Sequence, residues 1–282
     1  MLASMSLFAK FLGDYTGPIE VTFLRNAVGL IFLLGFFGVT GQMKAARTTR
    51  PLVHLTRSAL GTFGIVLGMW AYIVLPLGIA TVFFFTMPLY TVLLSPLLLK
   101  EKVGWRRIVA VLVGFGGILI MALPELHGDI SLLGLVLGLS YPFIAALVDI
   151  CLRWMGRSEN PMTTVFYFLF LGSLMLSVLL PFTGQPLFPA IEGDSLWLIL
   201  AALGASGAFF QVMKTRALQL APVYVTGPMA YTMIFWAISF DWLIWNRPPE
   251  ANVLAGAAII VASNAFILWR EYQLRKREVS AA

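Results

Sequence analysis

Side chains that usually bind metals or catalyse reactions are scarce in this sequence. It has one cysteine, Cys151, and two histidines, His54 and His127, which we predict to lie in or near loops. A zinc site needs three or four Cys, His or carboxylate ligands held close together, and the spacing of these residues offers no such set. The sequence also has no G-x-x-x-x-G-K-[S/T] loop for nucleotide phosphates. We therefore predict no catalytic residue, no metal site and no cofactor.

Three charged residues, Arg25, Asp149 and Asp241, interrupt long apolar stretches. An ionised side chain within a membrane is costly unless it is paired or functional. Arg25 and Asp241 fall at similar predicted depths, about 9 Å and about 6 Å from the same membrane face by helix rise, so we hypothesise an ion pair between them. Arg25 has the alternative role of attracting a carboxylate or phosphate. Asp149 is predicted to pair with a cation or to reach the interface, and proton transfer is the alternative.

Prolines and aromatic residues mark a candidate cavity within the apolar stretches. Proline removes a backbone donor, and disturbed backbone at membrane depth is tolerated where protein covers it or where it lines a wet cavity. Aromatic rings offer flat faces for stacking. The alternatives are a kink that only shapes packing for the prolines and an interfacial belt for the aromatic residues. Gln211 is a candidate hydrogen-bond partner for the substrate, and its alternatives are a tie between two helices and exposure to water at the interface. The candidate cavity-lining residues are Trp70, Thr81, Phe85, Pro88, Tyr141, Gln211, Tyr224 and Tyr231.

The composition indicates a membrane protein with many spans. Hydrophobic residues make up 60% of the chain, charged residues make up 11%, and the mean hydropathy is +0.90, whereas a soluble domain is about a quarter charged. A bilayer core about 30 Å thick needs about 20 apolar residues per helix. Glycines that share a face of one span are predicted to allow close helix packing. We predict ten spans, near residues 1–13, 18–40, 55–75, 77–99, 104–123, 130–153, 163–182, 195–213, 220–245 and 252–270.

The basic residues predict how these spans are oriented. Lysine and arginine cluster after every second span, whereas the opposite loops are mostly acidic. Because cytoplasmic loops carry the excess of positive charge, both termini are predicted to be cytoplasmic. This placement accounts for the net charge of +6 better than a nucleic-acid-binding surface does, so no nucleic-acid partner is expected. The basic clusters lie within residues 44–57, 100–107, 153–157, 214–216 and 270–277.

Two halves of the chain are weakly similar to each other. Pro18 in "YTGPIEVTFLR" aligns with Pro161 in "SENPMTTVFYF", and Pro76 aligns with Pro222, at offsets of 143 and 146 residues. An odd number of spans in each half requires the second half to insert upside down, as in many secondary transporters. We predict a first five-helix repeat at 1–125 and a second at 126–282. The first predicted span is shorter than the span that aligns with it in the second half. We therefore predict that the sequence begins partway through the first helix.

The chain resembles the drug/metabolite transporter superfamily, specifically its EamA-type members with ten helices. The resemblance is carried by "LRNAVGLIFLL", by "AGAAIIVASNAFILWRE" and most specifically by the block from Arg57 to Met121, which contains "PLGIAT" and "PLYTVLL". The family's glutamate at the end of the fourth helix is matched by Glu101. Its counterpart in the second half would fall near Arg247, where "IWNRPPE" lacks it. The resemblance implies two inverted bundles that transport solutes by alternating access.

We therefore expect an all-α, ten-helix integral membrane protein that acts as a secondary transporter of a small organic metabolite. The resemblance implies amino acids, purines or nucleosides, S-adenosylmethionine, riboflavin and similar compounds as candidate substrates. A broadly specific exporter and an integral membrane enzyme acting on lipid are the alternatives. The expected partners are a small-molecule substrate and the lipid bilayer, and the protein is expected to be a monomer or homodimer. The expected location is the cytoplasmic (inner) membrane.

Overall fold

The structure is a computed structural model that describes most of the chain. Within the described residues all regular structure is helical, which confirms the predicted all-α membrane class. The predicted short span at 1–13, and with it the predicted late start, lies outside these residues. The described residues are 17–75, 77–101, 103–122, 131–156, 158–184, 194–232 and 250–281, with 236, 239, 242 and 243.

In the residues that the structure describes, 3₁₀ turns at Met43–Ala46, Leu180–Thr183 and Pro228–Tyr231 accompany the α-helices. In the described part of the chain, six segments are long and apolar enough to cross a membrane. The helices are α1 (Pro18–Thr40), α2 (Pro51–Val74), α3 (Leu77–Phe84), α4 (Met87–Leu99), α5 (Trp105–Ala122), α6 (Leu132–Met155), α7 (Pro161–Leu179), α8 (Asp194–Leu220), α9 (Val223–Thr226) and α10 (Ala251–Ala281).

Local sequence signals fix several helix ends. α1 begins at Pro18, whose fixed φ suits a first helical position. It ends before Gly41, which adopts a φ of 67° and donates its amide to the carbonyl of Phe37. α7 begins at Pro161, after Asn160, whose side chain accepts a hydrogen bond of 2.9 Å from the amide of Met162. Both helices therefore begin at the prolines that the repeat aligns.

Four of the predicted spans differ from the observed helices within the described residues. The predicted span 220–245 starts with the four-residue helix α9 and a 3₁₀ turn instead of a continuous helix. The predicted span 77–99 consists of two helices, α3 and α4. α8 runs to Leu220, so Lys214 and Arg216, predicted to follow the span, lie in its last turns. α10 runs to Ala281 although the predicted span ends near residue 270. Charged residues end an apolar run but not a helix, because lysine and arginine have good helix propensity in water.

The chain forms two compact units, each made from two separate segments. The first unit contains residues 1–69 and 151–220. In it α1 packs against α7 and α8. The approach to α8 is close at Gly29, where an added Cβ would lie 3.0 Å from the carbonyl oxygen of Gly204. Between α1 and α7, Phe37 is buried together with Phe168 and Leu169.

The second unit contains residues 70–150 and 221–282. Its long contact runs between α5 and α10. A Cβ added at Gly117 would lie 2.8 Å from the carbonyl oxygen of Gly256, and Ser263 donates a hydrogen bond of 2.5 Å to the carbonyl of Ala110. A Cβ added at Gly138 would lie 2.5 Å from Phe83. The predicted use of glycines for close packing is therefore confirmed. Each unit draws on both predicted repeats, 1–125 and 126–282, whose status as domains stays a prediction.

Candidate functional site

The second unit contains a long apolar segment that is interrupted near its middle. α3 ends at Phe84, and α4 begins at Met87 with Pro88 in its first turn, where the missing N–H removes no helical hydrogen bond. The amide and the hydroxyl of Thr86 both donate to the carbonyl oxygen of Phe83, at 3.0 and 2.7 Å. In place of the bend predicted at Pro88, the helix is interrupted at residues 85 and 86, just before this proline. The backbone amide of Thr86 is thus satisfied within the chain, as membrane depth requires.

A second interrupted segment follows Pro222 in the same unit. α9 has only four residues, and the 3₁₀ turn Pro228–Tyr231 comes directly after it. The amide of Gly227 donates to the carbonyl of Val223 at 2.8 Å. Pro228 has no amide hydrogen to continue this pattern. Helices this short are unstable alone, so the position of α9 depends on what it contacts.

The two interrupted segments approach each other at Gly227 and Thr91. A Cβ added at Gly227 would lie 2.8 Å from Thr91 Oγ1, so only glycine fits here without movement of its neighbour. Thr91 is fully buried, and its hydroxyl lies within hydrogen-bonding distance of the carbonyls of Met87 (3.2 Å) and Pro88 (2.9 Å). The start of α4 and the end of α9 therefore meet at a backbone-to-side-chain contact.

Four aromatic side chains form a continuous row beside these segments, which we call the aromatic row: Tyr141, Phe84, Phe85 and Tyr231. Tyr141 stacks on Phe84 with ring centroids 5.6 Å apart, Phe84 meets the edge of Phe85 at 5.1 Å, and Phe85 meets Tyr231 at 6.0 Å. Phe85 and Tyr231 are buried, whereas Phe84 and Tyr141 are partly exposed. The structure thus brings three predicted lining residues together, and it adds Phe84, which the sequence analysis missed.

The other predicted lining residues are Tyr224, Trp70, Thr81 and Gln211, together with Pro88, which is buried at the start of α4. Tyr224, on α9, is buried with the guanidinium carbon of Arg107 4.3 Å from the centre of its ring. Trp70 is 56% exposed at the start of the second unit. Thr81 lies on α3. Gln211 is partly exposed on α8 and belongs to the first unit.

The three charged residues predicted within the membrane have different surroundings. Arg25, on α1, donates from Nη2 to Asn26 Oδ1 at 3.0 Å. Asp149 is buried on α6 in the second unit. Asp241 lies outside the described residues, so its ion pair with Arg25 stays a prediction.

A polar cluster at one end of the first unit was not predicted. His54 is fully buried in the first turn of α2, and its Nε2 lies 3.2 Å from Glu159 Oε2. Its ring stacks on Tyr167 with centroids 4.6 Å apart. Thr48 donates to Glu159 Oε1 at 3.1 Å. Burial lowers the pKa of His54, and the Glu159 carboxylate offsets part of that shift while Arg57 adds to it. The pairing joins residues 105 positions apart, and no local motif indicates it.

The described residues include no group of three or more His, Cys, Asp or Glu side chains that would hold a metal ion. What these residues offer instead is aromatic surface next to interrupted backbone. Discontinuous helices mark the binding sites of many membrane transporters, and ring faces bind planar molecules by stacking. The arrangement therefore suits binding of a planar solute.

Comparisons with known proteins agree with these features. A model of the EamA-like transporter family matches residues 1–123 and 132–269. The S-adenosylmethionine uptake transporter of Rickettsia prowazekii is 30% identical over 267 residues, covering 94% of this chain and 87% of that protein. The riboflavin transporter of Vibrio cholerae is 29% identical over 264 residues, covering 93% and 86%. A crystal structure described only as that of a protein has a TM-score of 0.76 at 19% identity, covers 94% of each chain and indicates the fold alone.

Proposed function

The chain belongs to the EamA-like transporter family and is a multi-pass membrane transporter of a small organic metabolite, and we propose that this metabolite is a planar nitrogen heterocycle that carries polar groups. The relatives named above are named for S-adenosylmethionine and riboflavin. These two compounds share a flat ring system joined to a polar chain. The two compounds differ in charge and in ring size. The planar ring is the property that they share, and it is the property that we propose for the solute of this protein.

The observation that supports this proposal is the partly exposed end of the aromatic row. Tyr141 and Phe84 are stacked, and both keep part of their surface accessible. Stacked or edge-on aromatic contacts contribute about 0.5–1.5 kcal/mol beyond the area they bury. A planar ring placed against Tyr141 extends the row by one member. Trp70, Thr81, Pro88 and Gln211 are proposed as further contacts that act outside the row.

We propose that transport follows an alternating-access cycle in which the repeats 1–125 and 126–282 are inserted in opposite directions. We propose that backbone angles change at the two interrupted segments, where the run of helical hydrogen bonds is already broken. The protein is proposed to lie in the inner membrane with both termini in the cytoplasm. This orientation places the basic clusters at the cytoplasmic ends of the helices. The cycle is proposed to need no covalent chemistry on the solute.

Transport in proteoliposomes tests the proposed substrate class. Purified protein is reconstituted, and uptake of labelled riboflavin and S-adenosylmethionine is measured with and without unlabelled competitors. We expect uptake of at least one of the two, with competition by planar heterocycles such as adenosine and little competition by acyclic amino acids. Equal competition by acyclic amino acids, or uptake of neither compound, would contradict the proposed class.

A matched pair of tyrosine variants tests the proposed site. Tyr141→Leu removes the accessible ring of the row, and we expect KM to rise about five- to tenfold. Tyr272→Leu is the control, because Tyr272 is exposed on α10 and makes no described contact with the row. An unchanged KM in Tyr141→Leu, with normal expression, would remove the row from the site.

A further inference from the structure

Two neighbouring arginines at the start of α5 differ in their surroundings. Arg106 is exposed, with its guanidinium carbon 5.6 Å from the ring centre of Trp105. Arg107 is 7% exposed, with its guanidinium carbon 4.3 Å from the ring centre of Tyr224. The sequence gives both the same role, as members of a basic cluster at the membrane edge. The burial of Arg107 requires a different explanation.

The contact of Arg107 is made with a segment that is too short to be stable as a helix on its own. α9 consists of four residues, whereas isolated helices need about 12–15 residues to be even marginally stable in water. Tyr224 is 8% exposed and packs with Val92, Val111 and Ile267, which belong to α4, α5 and α10. A guanidinium over a buried aromatic ring is attracted to the negative face of that ring more strongly than at an exposed site, since water does not screen it.

The restraint extends from Tyr224 to the aromatic row. The amide of Gly227 bonds to the carbonyl of Val223 at 2.8 Å, and the amide of Ala230 bonds to the carbonyl of Gly227 at 3.0 Å. Tyr231 follows immediately, and its ring contacts Phe85 in the row. A shift of α9 is therefore passed through a short bonded segment to Tyr231. The close approach of Gly227 to Thr91 also restricts movement of this segment toward α4.

We propose that Arg107 is a positioning residue, whose guanidinium fixes α9 through the ring of Tyr224 and so sets the position of Tyr231 in the aromatic row. In this proposal the ring of Tyr224 is the group that Arg107 holds in place. From the sequence, Tyr224 was predicted to line the cavity instead. The effect on transported solutes rests on the proposed function. The effect on α9 does not, because it concerns contacts within the second unit alone.

Hydrogen–deuterium exchange and transport kinetics together test the proposal. The variants are Arg107→Gln, Arg107→Lys, Tyr224→Leu and Tyr224→Phe, with Arg106→Gln as the matched control. Exchange is followed at residues 223–232 and, for comparison, at residues 251–264 of α10. KM and Vmax are measured for riboflavin and S-adenosylmethionine in proteoliposomes.

We expect Arg107→Gln and Tyr224→Leu to speed exchange at 223–232 about tenfold, in line with the loss of a buried cation–π contact. Residues 251–264 should change little. Arg107→Lys keeps the cation and Tyr224→Phe keeps the ring, so both should retain most of the protection. KM should rise in Arg107→Gln with little change in Vmax, and Arg106→Gln should behave like the unsubstituted protein. Adding Tyr224→Leu to Arg107→Gln should increase exchange by less than the sum of the two separate effects, because the two residues share one contact.

Several results would overturn the proposal. Equal loss of protection at 223–232 and 251–264 would show that Arg107 only stabilises the second unit. Unchanged exchange, or the same change in Arg106→Gln, would remove its special role. If Arg107→Gln does not fold, failure of Arg107→Lys to keep protection above that of Tyr224→Leu contradicts the proposal equally. Selective exchange at 223–232 without uptake of either solute would uphold the positioning of α9 and overturn the proposed substrate class.

Discussion

His54 Nε2 lies 3.2 Å from Glu159 Oε2, and the pair joins the beginning of α2 to the loop before α7 in the first unit. Glu159 also accepts a hydrogen bond from Thr48, in the loop before α2. Arg50 and Ser158 form a parallel contact of 3.1 Å at the exposed edge. Because buried polar groups need partners, these bonds hold the two loops together. The cluster makes separate predictions for pH and for stability.

Replacing His54 with glutamine should reduce the dependence of stability on pH. Burial lowers the pKa of His54 in the folded protein, so the unfolded chain binds the proton more readily. His54 therefore contributes stability that is full above about pH 6.5, the usual histidine value, and that is lost as the pH falls through the lowered pKa. Thermal unfolding in detergent at about pH 7.5 and about pH 5.5 measures this difference. An equal difference in His54→Gln would contradict the prediction.

Replacing Glu159 with alanine should destabilise the first unit. The change removes the acceptor for Thr48 and the partner of fully buried His54, and leaving such groups unsatisfied costs about 1–3 kcal/mol. Ser158→Ala is the control, because it removes one exposed contact with Arg50 and should cost less than about 0.5 kcal/mol. Urea unfolding of both variants measures the difference. Similar midpoints for the two would show that the buried pair adds nothing.

Adjacent glycines on α5 should respond in opposite ways to alanine. A Cβ at Gly117 would lie 2.8 Å from the backbone oxygen of Gly256, whereas a Cβ at Gly116 meets nothing within 4 Å. Gly117→Ala should therefore separate α5 from α10 and cost about 1–3 kcal/mol. Gly116→Ala should be neutral or stabilise by up to about 1 kcal/mol, since alanine favours helix. The unfolding temperature of Gly117→Ala should fall below that of the unsubstituted protein, and that of Gly116→Ala should equal or exceed it.

Tyr231 should tolerate loss of its hydroxyl but not loss of its ring. The side chain is 0% exposed, and its hydroxyl has no hydrogen-bond partner among the described residues. Tyr231→Phe should leave stability unchanged or raise it by about 1 kcal/mol. Tyr231→Ala should cost about 3–5 kcal/mol, because the ring packs against Phe85, Ile118 and Ile260. A large loss in Tyr231→Phe would reveal a partner for the hydroxyl.

Helix ends that depend on local chemistry could be predicted from the sequence. The predicted span 18–40 coincides with α1, since Pro18 starts an apolar run and Gly41 ends it. The end of α10 could not be predicted in this way. Hydropathy reports where apolar residues stop, and a helix continues wherever its backbone bonds can form. The interruption between α3 and α4 was predicted near Pro88, and its position depends on Thr86, whose hydroxyl bonds to the backbone.

Contacts between distant positions could not be predicted from the sequence. Arg106 and Arg107 are equivalent in composition and charge, and a helix rotates them about 100° apart. Which of them is buried depends on how α5 packs in the second unit. Packing also decides the role of Phe84, which lies between Tyr141 and Phe85 in the aromatic row. Only its neighbour Phe85 was predicted from the sequence. Residue type alone indicated that aromatic side chains would line a site. Which of these side chains contact one another depends on how the helices pack.

The interleaving of segments has a consequence for synthesis. α1 packs against α8, and Gly29 is matched to Gly204, so α1 cannot complete its packing until the ribosome has added residues that come much later. At about 5–20 residues per second, that delay is roughly 10–40 s. During it, the newborn helix presents its polar and small-residue face to lipid or to the insertion machinery. The second unit forms later still, since it includes α9 and α10, which follow α8 along the chain.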